Sequence, residues 1–155
     1  MTNVHVDDSK VRLALAKLEE LIGDANEPLD AAYFSGHSKR YQRCVGRVSA
    51  LCPPGARLLD IGSHFLHQAG LFELLGFDVI GFDVAEFSGL DFVRQRAQQL
   101  DIENLCVASL ERGYLLGREK EESIDCVLFA EILEHITFNP SNFWRQVHRL
   151  RGSAE

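Results

Sequence analysis

The chain has 155 residues, 46% of them hydrophobic, which bounds it to a single globular domain with a real core and argues against disorder. Sixteen basic against twenty-three acidic residues leave a formal charge of −7, so bulk nucleic-acid binding is not expected, though a local basic patch is compatible with it. No apolar run approaches the ~20 residues that span a bilayer, and the amino terminus carries acids where a signal peptide needs basic residues, so a soluble, cytoplasmic protein is expected.

In chain order, Asp7, Asp8 and Ser9 are capping residues for a helix through Ile22, with Val11, Leu15, Leu18 and Ile22 on one face and Gly23 as its stop. Residues 24–38 read as a polar connection containing Tyr33-Phe34-Ser35-Gly36-His37, and a second helix is expected from Ser38 to Leu51. On it Arg40, Arg43 and Arg47 share a face. Two readings are open there, a solvated basic stripe or a face from which Arg40 or Tyr41 reaches a ligand. Residues 1–30 thus divide off as an amino-terminal helix and connection, and 31–155 as the main unit.

The turn Pro53-Pro54-Gly55 precedes an apolar run, Arg57 to Ile61, that reads as a buried parallel strand with Asp60 and Gly62 at its carboxyl end. A helix from His67 to Leu75 ends at Gly76, and a second strand, Phe77 to Asp83, again finishes on an acid. A loop through Phe87 leads to a helix over Ser88–Leu100 with Leu90, Val93 and Ala97 inward. The third strand, Leu105 to Ala108, runs into Ser109-Leu110-Glu111, and 113–123 is a polar loop. Ile124 to Ala130 forms the fourth strand, and Pro140 and Ser141 open a helix continuing through Phe143 to Leu150. Four such units predict an α/β, Rossmann-like parallel sheet with flanking helices and strand order 3-2-1-4. The four cysteines are scattered, without a close pair, and read as reduced thiols.

In an open α/β sheet, ligands bind at the carboxyl ends of the strands. Asp60 and Asp83 stand at two such ends, and Asp83 is placed to accept hydrogen bonds from a ribose diol. His64 and His67 are spaced like a pair of metal ligands, but no cysteine or carboxylate completes a set, and no metal is expected. Glu131, Glu134 and His135 gather at the end of the fourth strand. One of them, with His135 or Glu131 preferred, is a candidate general base, and helix-start electrostatics accounts for Glu134 equally well.

Three segments resemble the class I S-adenosylmethionine-dependent methyltransferases. Leu58-Leu59-Asp60-Ile61-Gly62 is similar to that family's first motif, Gly81-Phe82-Asp83 to its second acidic corner, and 125–136 to its fourth-strand segment. The resemblance implies S-adenosylmethionine as cofactor and methyl transfer to an unidentified acceptor. It places Asp60 on the methionine ammonium, Gly62 and Ser63 in the cofactor loop, Asp83 on the ribose, and Ser109 and Leu110 at the adenine edge. Phe129 and Ala130 would offer backbone to the cofactor's amino-acid end. Arg40 would be a partner for its carboxylate, since a guanidinium fork matches two carboxylate oxygens.

The chain departs from the family's D-x-G-x-G-x-G loop at His64 and Leu66, whose side chains are expected to resist positive φ. His64 is expected to compensate by facing the ligand. Ser109 stands where an acid commonly binds the adenine amino group. Set against the seven-stranded family fold, this chain looks truncated after its cofactor half. Ile124 to Ala130 would then be an uncovered edge, open to homo-oligomer formation. A non-catalytic domain of the same fold that binds cofactor weakly is the main alternative. A dinucleotide-dependent oxidoreductase is disfavoured by the lack of G-x-G-x-x-G.

Overall fold

The computed structural model of the protein describes residues 7–107, 124–130, 132–137 and 139–150. Helix α1 spans Asp8–Ala25, and the Asp7 carboxylate accepts the Ser9 N–H at 2.8 Å, as a capping acid should. Gly23 does not stop it. A Cβ there would meet open space, and the helix instead ends where Asn26 turns left-handed at φ 53° and donates its N–H to the Gly23 carbonyl.

Helix α2 spans Pro28–Ser49, so the expected polar connection is mostly helix. Pro28 sits at the first helical position, where a missing N–H costs nothing and the fixed φ suits the helix. Asp30, Phe34, Tyr41, Val45 and Val48 then fall on one buried face.

Four strands follow, β1 (Arg57–Ile61), β2 (Asp78–Val84), β3 (Glu103–Val107) and β4 (Cys126–Leu128). They form one parallel sheet in the order β3-β2-β1-β4, a Rossmann-like α/β arrangement. Helices α3 (His67–Leu74), α4 (Ala85–Ser88) and α5 (Asp91–Leu100) connect strands, so the expected loop through Phe87 is a short helix, and the helix expected from Ser88 starts at Asp91. A 3₁₀ turn over Leu133–His135 precedes α6 (Ser141–Leu150).

Strand alternation sorts the core onto two faces. Leu58 and Val79 face α1, α2, α3 and α5 in the larger cluster, whereas Leu59, Ile61, Ile80 and Phe82 face Phe143, Val147 and Leu150 of α6. Regular pairing of β4 covers three residues only, far less than the expected Ile124–Ala130 edge. The Ile124 N–H reaches the Leu150 carbonyl at 3.2 Å, and Asp125 exchanges bonds with the Arg57 backbone. All four cysteines are free thiols. Among the described residues no helix is long and apolar enough to cross a membrane, and no group of three His, Cys, Asp or Glu could hold a metal ion.

Candidate functional site

The turn from β1 into α3 has positive φ at alternate residues: Gly62 at 77°, His64 at 48° and Leu66 at 60°. His64 and Leu66 adopt it despite the resistance expected of them. Each non-glycine residue there costs about 1–2 kcal/mol, and the surroundings enforce it. Gly62 donates to the Phe82 carbonyl at 2.8 Å, His64 N–H to Asp83 Oδ2 at 2.7 Å, and Leu66 N–H to the Ser63 carbonyl at 2.8 Å. The Phe65 carbonyl accepts Arg96 Nη1 at 2.6 Å. A Cβ on Gly62 would stand 2.5 Å from Ile132 Cδ1, so Ile132 would have to shift, and the φ of 77° favours glycine in addition. At Gly81 in β2 a Cβ would likewise meet Leu66 at 2.6 Å.

Both strand-end carboxylates sit on the α2 and α3 face of the sheet, Asp60 in phase with Leu58 and Asp83 with Val79 and Gly81. Asp60 is 3% exposed. Burial, reinforced by the charge of Asp83 and opposed by Arg40, pushes its carboxyl up to about 7. Asp83 is also raised by burial, but two backbone bonds pull the other way, from His64 N–H and Val84 N–H at 2.7 Å each. Its two oxygens already brace the loop, a structural duty the sequence did not disclose. The Ser63 hydroxyl is buried beside them with no partner among the described residues.

Helix α2 packs against this corner. Tyr33 lies 4.2 Å from the His37 ring and 4.4 Å from that of His64. Arg40 stacks over Tyr41 at 5.1 Å and, through its charge, lowers Asp60.

Helix α2 is clamped by a chain of buried polar groups. Asp30 accepts both guanidinium nitrogens of Arg96 and, at 2.7 Å, His67 Nε2; Tyr41 O–H lies 3.3 Å from His67 Nδ1. Asp30, His67 and Arg96 are each 2% exposed or less. Burial favours the neutral imidazole of His67 more than Asp30 favours the cation, and His67 is lowered. Since a carboxylate only accepts, Nε2 carries the proton and Nδ1 accepts from Tyr41. Burial works to raise Asp30, but His67 and Arg96 outweigh it and hold the acid below its usual range. Burial lifts the Tyr41 phenol to about 12, which leaves it a hydrogen-bond donor and no base at neutral pH.

The other expected residues scatter. Phe129 turns its ring to Phe143 and Trp144, 5.2 Å from each, on the opposite face of the sheet, and Ala130 is exposed. His135 is exposed in the 3₁₀ turn that follows Ile132. Ser109, Leu110 and Glu131 lie outside the described residues. The structure therefore brings together Arg40, Asp60, Gly62, Ser63, His64 and Asp83, and adds Tyr33 and Phe87. No protein-family model matches the chain, and no curated protein is similar to it.

Proposed function

We propose that the chain binds S-adenosylmethionine at the carboxyl ends of β1 and β2 and serves methyl transfer to an acceptor not identified by its sequence. The observation that carries this reading is the β1–α3 corner. Its backbone is left-handed at three alternate positions, and two carboxylates flank it on one sheet face. A buried acid lifted to about 7 gains most from a cationic partner, which suits the ammonium of a methionine moiety. The Ser63 hydroxyl, without a hydrogen-bond partner among the described residues, supplies a further polar group at that corner.

When bound, the cofactor would supply an electrophilic methyl on a sulfonium, with an excellent leaving group already in place. The work of the chain is then to hold and orient. Asp60 would pair with the ammonium, Asp83 would add ribose hydroxyls to the bonds it already accepts, and Arg40 would face the carboxylate. Phe129 and Ala130 would contribute backbone only, and Ser109 and Leu110 the adenine edge. His135 or Glu131 would take the proton of a hydroxyl or amine acceptor.

One observation favours a second reading, a non-catalytic domain that binds cofactor weakly. Both Asp83 oxygens are engaged by backbone N–H groups. Pairing of a second copy along β4 is a narrower proposal, resting on its position at the sheet edge and read by sedimentation.

Titration calorimetry with S-adenosylhomocysteine tests the cofactor assignment. Asp83→Ala should weaken binding by about 1.5–3 kcal/mol, with its circular dichroism checked for an intact loop and sheet. An unchanged affinity, or a preference for NAD, would remove the reading. Weak binding without turnover toward any acceptor would favour the second one.

A further inference from the structure

We propose that the imidazole of His64 is a built-in occupant of the aromatic slot between Tyr33 and Phe87, and that it swings out when the planar base of an adenine nucleoside enters in its place. This rests on the binding reading above. The ring centroid of His64 lies 4.4 Å from Tyr33 and 4.4 Å from Phe87, which come from two different helices, and 3.7 Å from Phe65. It fits this slot imperfectly. Its planes are tilted 34° and 50° to its two flanking rings, where offset stacking would bring them near parallel. Its Nδ1 is buried with no hydrogen-bond partner among the described residues, so the ring has given up a bond to water without replacing it. A wider flat heterocycle with donors and acceptors at its edge would stack more completely on the same two walls.

The backbone shows how the ring would leave. His64 N–H is fixed to Asp83 Oδ2 at 2.7 Å, and the next carbonyl, that of Phe65, is fixed to Arg96 at 2.6 Å. The loop is thus pinned on both sides of the His64 Cα. Exit is a side-chain rotation that leaves the left-handed turn and the Asp83 bonds intact. A ligand must displace this ring, so its measured affinity is lowered by the fraction of molecules in which the ring is seated.

The test is proton NMR of the histidine rings in the full chain, with adenosine and S-adenosylhomocysteine as probes and His64→Ala for assignment and comparison. In the free protein the His64 ring protons should be strongly shielded by the flanking aromatic rings. Adding either probe should move them to the positions of an exposed imidazole, and His64→Ala should bind the probes about tenfold tighter. His64→Gly, which suits the positive φ, gives the same comparison should the alanine variant lose its fold. Binding to the variants but not to the wild type also supports the proposal. Binding that leaves the His64 resonances unmoved overturns it while the cofactor reading stands. No binding to the wild type or to either variant overturns both.

Discussion

Burial lifts the Asp60 carboxyl from the ordinary 3.8 to about 7, so between those values the native protein holds a proton that the unfolded chain has released. Unfolding free energy must then fall as pH rises through that window, and the loss is complete above about 7. Asp60→Asn removes the ionisation and should raise stability at pH 8 by roughly 3 kcal/mol in urea unfolding. The same variant should lose S-adenosylhomocysteine binding, because an amide cannot balance an ammonium. In the wild type that affinity should climb as pH rises toward 7 and a proton is released on binding. An Asp60→Asn protein that is less stable and binds normally would take the charge role away from this residue. His64 acts with the opposite sign. Burial lowers it from 6.5 to about 4, so the unfolded chain binds the extra proton and stability falls as pH drops across that range. Gly62→Ala should be costly for two reasons, positive φ and the 2.5 Å approach to Ile132, at about 2–4 kcal/mol in total. Adding Ile132→Ala should relieve the crowding part of that cost without touching the backbone part, as a double-mutant cycle would reveal.

At the scale of elements, α2 is set by its clamp more than by its own helical preference. Removing Asp30 leaves the Arg96 charge buried without its carboxylate, and Arg96 Nε already has no acceptor among the described residues. Asp30→Ala should therefore cost about 3–5 kcal/mol, whereas replacing Asp30 and Arg96 together by leucine and methionine should recover only part of that loss, because His67 Nε2–H and the Phe65 carbonyl lose their partners. Hydrogen exchange should quicken first in the Pro28–Arg40 half of α2. Equal loss in the single and double variants would mean that the ion pair is not what holds the helix. None of this clamp was legible in the sequence, since Asp30 and Arg96 stand 66 residues apart and each reads as an ordinary surface charge. The amino-terminal half of α2 was legible in principle. Pro28 is a helix-start signal, but Gly36 and the polar run around it pointed to a loop. By contrast β1, β2, α3 and the strand order could be read from apolar runs closed by acids and glycines, because burial on both faces of a parallel sheet leaves few other residues possible. For the candidate site, Asp60, Gly62 and Asp83 carried the signal. Tyr33 and Phe87 did not, being single aromatics whose meeting on His64 depends on the tertiary fold.

Among the described residues the helices are unequally divided between the two faces of the sheet. One face is covered by α1, α2, α3 and α5, and the other, among the described residues, by α6. An isolated helix shorter than ~12–15 residues is marginal in water. The ten residues of α6 therefore depend on Phe143, Val147 and Leu150 seated over Leu59, Ile61 and Phe82. The sole tryptophan, Trp144, lies on that face, 5.4 Å from Phe143 and 5.2 Å from Phe129. Its fluorescence reports one face of the sheet, while far-ultraviolet circular dichroism is dominated by the helices on the other. Phe143→Ala deletes the best-buried anchor of α6, a change that costs about 3–5 kcal/mol where the site cannot collapse. The loss should fall on α6 locally: the fluorescence transition in urea should move to much lower denaturant while the dichroism midpoint moves less. Asp30→Ala should give the reverse order, with dichroism lost before fluorescence. Transitions that shift together in both variants would show that the two faces unfold as a single cooperative unit, and that the sheet transmits the loss of either cover to the other.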